Sequence, residues 1–416
     1  MSQVSVMRWI RLGGFYVLYY ALIGAFLPFW SLYLELSGFS KAQIGILLAI
    51  PMLARIVAPS LWGYLSDKTG LKVSWIRMAT LAEMLACASL LVLPKEFWPY
   101  ALMLVWFGFF QNAVVPILES VTLGWLGEKR EHYSKIRLWG SLGFIGSVTF
   151  FGLWVENHGV DDLPVLLVAL TFSSFALSLF IKDPPQPHVA EPRLASTEID
   201  RANQAQTAQG LGALTFKNVF YQRPVRWFYL SQLILLFSHA PFYSFFSILL
   251  HEAGYSAAQI GVLWSLGVVS EIVMFSLGRP LLKFGTYPLV LMVMLITGVR
   301  WIITGALTEF IWALVFAQIL HAFSFGLFQM LSMHFISSQL PAQFQGRAQA
   351  AYASCWGAGV AAGSIVVGLL WNRTGGSFWF IICGVLLLIY ALWMGLVGSG
   401  IFTSNTQAIS GDREER

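Results

Sequence analysis

Charge is scarce in this chain. Of 416 residues only 11% are Asp, Glu, Lys or Arg, while 57% are hydrophobic; a water-soluble domain carries roughly 25% charged residues. A soluble fold of this length needs a polar surface that such a composition cannot supply, and a nucleic-acid partner is not expected. Cysteine is scarce too. Cys87, Cys355 and Cys383 each sit inside an apolar block, with no pair at disulfide or metal-ligand spacing, so they read as packing residues and no metal site is expected. The chain lacks a G-x-x-x-x-G-K-[ST] loop and any nucleophile–base motif, which leaves neither ATP drive nor enzyme chemistry, and no cofactor. Gly357-Ala-Gly359-Val-Ala-Ala362 fits the dinucleotide fingerprint G-x-G-x-x-A, but no strand precedes it; inside an apolar block it reads as a small-residue helix contact.

What is present is a series of apolar blocks long enough to cross ~30 Å of hydrocarbon. They fall at about 9–33, 41–62, 73–93, 97–124, 136–156 and 161–181, then at 225–250, 257–278, 286–306, 310–338, 347–371 and 376–399. The first, preceded by Arg8 and Arg11, is too long for a signal-peptide core and lacks a small-residue cleavage site, so it is read as a retained span. With the N-terminus cytoplasmic, twenty of the 25 Lys and Arg fall on cytoplasmic segments or the helix ends beside them. That is the asymmetry the positive-inside rule requires, and an odd number of spans would scramble it. The reading is therefore an all-α, multi-pass protein of the bacterial inner membrane, with twelve spans, both termini cytoplasmic, and a monomer. Residues 183–224, with Pro184, Pro185 and Pro187 ahead of a Gln/Ala/Thr stretch, form a flexible cytoplasmic linker, with Leu211 to Tyr221 as a short surface helix. The linker divides the chain into a six-helix bundle at 1–182 and another at 225–400, followed by a cytoplasmic tail at 401–416.

The halves repeat. Residues 38–49 read GFSKAQIGILLA and residues 254–265 read GYSAAQIGVLWS, identical at seven of twelve positions. Upstream lie Pro28-Phe29-Trp30-Ser31 and Pro241-Phe242-Tyr243-Ser244; downstream, Gly63-x4-Lys68-x-Gly70 is echoed by Gly278-x4-Lys283-x-Gly285. Three matches in the same order mean duplication. Two related bundles about an axis normal to the membrane, with a substrate site between them near the midplane, is a transporter plan.

The loop after span 2, Gly63-Tyr-Leu-Ser-Asp67-Lys68-Thr-Gly70-Leu-Lys72, resembles the major-facilitator signature G-x-x-x-D-[RK]-x-G-x-[RK]. Its glycines allow a tight turn and close helix approach, and Asp67 is expected near a helix N-terminus, paired with a cation. The second copy has Leu282 in place of the acid. More narrowly, Lys135-Ile-Arg137-Leu-Trp139-Gly140-Ser, the run 254–272, Gly298-Val-Arg300-Trp301 and Gln318-Ile-Leu-His321 resemble the branch holding the proton-coupled phenylpropionate permeases and, more distantly, lactose permease. The resemblance implies the major-facilitator fold and a proton-driven symporter.

A charge at the centre of a span costs at least ~2.5–3.5 kcal/mol, so each one needs a reason. The candidates are Glu83, Glu119, Glu271, Arg55 and Arg300, with Arg137 at the start of span 5 and His239, His321 and His334 as further titratable groups. Asn112, Pro116 and Glu119 share one face of span 4, and Arg137 opens the antiparallel span 5, so carboxylate and guanidinium can meet; a structural ion pair is the plainer alternative. By resemblance to lactose permease, Glu119 and Arg137 inherit substrate binding, and Glu271, Arg300 and His321 match its coupling residues. Here Ser324 and Gln318 stand where that branch has an acid and a lysine, and His239 replaces an acid. Glu271 is the first candidate proton carrier and His321 the second; a static Glu271–Arg300 ion pair and hydrogen-bonded packing histidines are the alternatives. Trp139, Tyr243 and Trp264 are candidates to stack on an aromatic substrate, against ordinary packing. Glu83 is expected to pair with a basic neighbour or stay protonated. An arginine suits a carboxylate substrate, which favours an aromatic acid such as phenylpropionate, with an oligosaccharide or a nucleoside as alternatives. A proton-antiport exporter and a non-translocating solute sensor remain as other readings, with the proton as coupling ion in the first.

Overall fold

The computed structural model describes residues 3–127, 129–185 and 215–397, and among them every regular element is helical. In chain order the main helices are α1 Gln3–Leu36, α2 Lys41–Thr69, α3 Lys72–Ser89, α4 Phe97–Leu126, α5 Tyr133–His158 and α6 Leu163–Ser178. After the long polar segment come α7 Arg223–Glu252, α8 Ala257–Leu277, α9 Thr286–Ala306, α10 Ile311–Gln339, α11 Ala342–Thr374 and α12 Gly376–Val397. Ten of these are long and apolar enough to cross a membrane. The exceptions are α3, which carries Lys72, Arg77 and Glu83 in 18 residues, and α6, which has 16 residues. Large apolar side chains such as Leu102, Phe150, Phe172, Leu386 and Leu392 are exposed on the outer wall, as expected of a surface solvated by lipid.

The repeated heptad of identities has a physical reason at nearly every position. Gly38 and Gly254 adopt φ of 90° and 86°, a left-handed turn that glycine enters without steric cost. Ser40 and Ser256 then cap α2 and α8, each accepting from the N–H of Gln43 or Gln259 while that glutamine's side chain returns to the serine N–H. This reciprocal capping box satisfies two otherwise orphaned donors at each helix start. Ile44 and Ile260 are fully buried. Gly45 lies against Ser364 and Gly368 of α11, and Gly261 against Val148 and Gly152 of α5. The pairs are mutual images, since the same sequence offset relates 45 to 261, 148 to 364 and 152 to 368.

The same exchange relates the helix packing. Across the duplication α2 packs on α11 and α5 on α8, while α1 meets its own counterpart α7. Within each set, α1–α5 corresponds to α7–α11, α3–α6 to α9–α12 and α2–α4 to α8–α10. Polar bridges between the first six helices and the last six gather toward the end carrying the Gly38 and Gly254 turns. Lys41 pairs with Glu252 at 2.6 Å and also with Glu35, and Glu156 accepts from Ser256 Oγ at 2.8 Å and Ala258 N at 3.0 Å. Among the described residues no hydrogen bond or ion pair bridges the two sets at the opposite end.

The piece expected as a surface helix, 211–221, is helical at Phe216–Phe220, where Thr215 caps it and Phe216 meets Phe344 of α11; residues 211–214, like the tail 401–416, lie outside the described residues. α10 is interrupted: residues Ala322–Leu327 form a π-helical turn between Ile311–Ile319 and Phe328–Gln339. Such turns disturb the regular backbone ladder and are frequent at functional sites.

Candidate functional site

In the first half the site is built on α1, α4 and α5. Glu119 and Arg137 do meet, with Nε to Oε1 at 3.8 Å and both side chains about one-third exposed. The closer contact to the carboxylate is Tyr133, whose hydroxyl donates to Glu119 Oε1 at 2.7 Å. Tyr133 precedes Arg137 by four residues and therefore shares its helix face. Arg137 donates to the Tyr20 hydroxyl and lies over the Tyr20 ring at 4.2 Å, a cation–π geometry. Asn112 is used differently: its amide N–H groups go to Gly108 O at 2.7 Å and Pro51 O at 3.2 Å, tying α4 to α2. Trp139 lies two residues beyond Arg137, about 200° around the helix, and rests beside Gly13 of α1. It does not share the Arg137 face.

In the second half Glu271 of α8 and His321 of α10 form a close pair, Oε1 to Nε2 at 2.7 Å, with His321 buried and Glu271 one-sixth exposed. One proton lies between these atoms, and His321 Nδ1 has no partner. The alternative of a Glu271–Arg300 ion pair is not formed. Arg300 is fully buried and has no carboxylate within 4 Å among the described residues; it donates instead to Ala317 O at 2.9 Å, Ser324 Oγ at 2.9 Å and Gln318 Oε1 at 3.4 Å. Its guanidinium is stacked between Phe242 and Trp301, 4.6 and 4.2 Å from the ring centres. Thus Ser324 and Gln318, the two neutral residues in charged positions, both accept from Arg300. The π turn begins immediately after His321 and contains Ser324, so the irregular backbone lies where these two side chains are aimed.

His239 uses Nδ1 toward Leu235 O at 2.8 Å, leaving Nε2 unpartnered and its ring edge-on to Trp301. Tyr243 packs between His239 and Trp356. Trp264 donates Nε1 to Ser247 Oγ at 3.0 Å and packs on Phe242, so its polar handle is already engaged. Sequence reasoning gave no role to Tyr20 or Tyr133. The four-residue spacing to Arg137 was an available signal for Tyr133; for Tyr20, on another helix, there was none.

The signature loop is divided in its uses. Gly70 has φ 68° and its N–H closes α2 onto Ser66 O, whereas a side chain at Gly63 would meet nothing within 4 Å. The turn thus needs Gly70, and Gly63 mediates no close helix contact here. Asp67 lies at the C-terminal end of α2 and faces Lys72 at 3.6 Å, while Lys72 also donates to Ser120 of α4 at 2.6 Å. The anion at the α3 N-terminus is instead Asp183, which accepts from Val73 N at 2.9 Å. Lys68 is exposed beside Tyr64. Glu83 is buried, has no cation within 4 Å among the described residues, and keeps one oxygen unpartnered; of the two expectations for it, the ion pair is not formed. His334 is exposed. All three cysteines are free, and no cluster of metal-binding side chains occurs among the described residues. The fingerprint-like run lies within α11, where Gly359 and Gly363 abut Leu233 and Phe237 of α7.

The model of the MFS_1 like family matches residues 9–382. The chain is 32% identical over 385 residues to the probable 3-phenylpropionic acid transporter of Escherichia coli, covering 89% of this chain and 93% of that one. It is 28% identical over 388 residues to the maltose permease of Geobacillus stearothermophilus, covering 90% and 92%. The crystal structure of the nucleoside transporter NupG superimposes with a TM-score of 0.74 at 17% identity, covering 95% of this chain and 99% of that one. Family, relatives and fold agree with the helical architecture. The chain belongs to the MFS_1 like family and is a multi-pass bacterial membrane protein, a secondary transporter of the major-facilitator type and not an enzyme.

Proposed function

We propose that the protein is a proton symporter that imports a small aromatic carboxylate of the 3-phenylpropionate type by alternating access. In this reading α3 and α6 also cross the membrane, which makes twelve spans with both termini cytoplasmic. Bundles 1–182 and 225–400 rock against each other about the central site, joined by the linker 183–224. The observation that carries the reading is the pairing of Glu271 with His321 at 2.7 Å. A carboxyl and an imidazole sharing one proton form a group that is loaded from one side and emptied to the other as water access alternates. The 32% identity to a transporter named for 3-phenylpropionic acid supports the substrate class. With the turn end periplasmic, the bridges of Lys41 and Glu156 close that side, and the described conformation faces inward.

A saccharide is the second reading, favoured by the Glu119–Arg137 pair and by the likeness to a maltose permease. Proteoliposomes containing the purified protein separate the readings. Under an imposed inward pH gradient, labelled 3-phenylpropionate accumulates, and its addition without a gradient carries protons inward. Solute entry without proton movement refutes symport, and accumulation of maltose but not of the acid moves the assignment to the saccharide. Binding with no translocation of either would make the protein a sensor.

A further inference from the structure

Three arginines lie inside the helical bundle, and the structure treats them differently. Arg137 has Glu119 and Tyr20. Arg300 has three acceptors and two aromatic faces. Arg55 has neither: among the described residues no hydrogen bond or ion pair reaches its guanidinium, which lies over the face of Trp356 at 4.2 Å. Its position makes that unusual. Arg55 lies within the apolar block 41–62 of α2, about fourteen residues from one end of the block and seven from the other, and therefore inside the hydrocarbon rather than at headgroup depth. It shares a face with the buried Pro51, Ala58 and Trp62, while Leu53 and Val57, on the opposite face, are exposed. The side chain thus points inward and is partly exposed there, and among the described residues no protein acceptor serves its five N–H donors.

A charge at this depth without a protein partner marks a functional site by default. We propose that Arg55 is the anion-binding residue of the central site, taking the carboxylate of a small aromatic acid, with Trp356 and Tyr243 alongside as the wall that packs its ring. The rigid guanidinium fork matches a carboxylate in two parallel hydrogen bonds. Trp356 and Tyr243 pack at 5.3 Å between centroids. Arg137, already facing a carboxylate of its own, then positions the substrate rather than neutralising it. Because Arg55 is on α2 and Trp356 on α11, the anion binds at the seam between the two halves, where its charge acts on both.

This inference rests on the transport reading, and the test keeps the two apart. Binding of 3-phenylpropionate and of the neutral 3-phenylpropionamide is measured by calorimetry on the full-length protein in nanodiscs. The unaltered protein prefers the acid; Arg55→Gln weakens acid binding on the order of tenfold to a hundredfold, leaves the amide unchanged and so removes the preference. Arg55→Lys, which keeps the charge but not the fork, retains part of it. A preference for the acid that survives in Arg55→Gln overturns the proposal, as does a parallel loss of acid and amide, which reports damage to the fold rather than to an anion site. Failure of the unaltered protein to bind the acid sinks the substrate reading itself, and the inference with it.

Discussion

A close glycine contact between the halves makes the most quantitative prediction. A methyl group added at Gly261 would stand 2.7 Å from the Val148 carbonyl oxygen of α5. Ordinary contact begins at 3.4 Å, so α5 and α8 must part by about 0.7 Å, and the obstacle is backbone that no rotamer change can move. Overpacking of this kind costs about 1–3 kcal/mol. Under alternating access the cost falls only on conformations in which α5 and α8 touch at this level, so Gly261→Ala shifts the population away from the described state by roughly 5- to 150-fold. Spin labels at Asn157 and Glu309, both exposed and belonging to opposite halves, read the change, with Cys87, Cys355 and Cys383 replaced beforehand. A longer-distance population in the pulsed dipolar spectrum, enlarged in Gly261→Ala, is expected. Gly146→Ala is the control, since a side chain there meets nothing within 4 Å. If Gly261→Ala and Gly146→Ala give the same distances as the unaltered protein, the glycine contact does not set the balance between conformations, and the reasoning fails.

Glu271→Gln removes the acid from the His321 pair and is expected to leave solute exchange intact while abolishing accumulation against a gradient; loss of exchange in vesicles would make Glu271 a structural or substrate-binding group instead. Arg137→Gln leaves Glu119 with Tyr133 alone and is expected to weaken binding of 3-phenylpropionate. An unchanged dissociation constant for 3-phenylpropionate in that variant would remove the α4–α5 pair from the site.

Much of the architecture was legible in the linear pattern. Apolar block lengths, the Gly-x-Ser-x-x-Gln-x-Gly repeat and the lone polar segment reflect local rules: hydrocarbon thickness, capping chemistry and the backbone freedom of glycine. Such rules act within a few residues, so α2 and α8 begin at Lys41 and Ala257, directly after the Gly and Ser of each repeat. The site was legible only as a set of costly residues. That Glu119 and Arg137 face each other follows from adjacent antiparallel helices, one turn-length of sequence apart. The partner of Glu271 did not follow. Arg300 was the ion-pair partner the sequence suggested, whereas the structure pairs Glu271 with His321 on a different helix, and the π turn of α10 at Ala322–Leu327 is a departure from regular backbone geometry that period-based reading cannot register.

What the sequence determined alone was where the chain must be helical and membrane-embedded, and that it is duplicated, because the solvation of each segment and its repeat are properties of the segment itself. Which charge meets which was decided by the tertiary structure. Whether an arginine inside the bundle is saturated, as Arg300 is, or left without a partner, as Arg55 is, depends on acceptors brought from distant helices within about 3 Å, and contacts of that range exist only once the helices have packed.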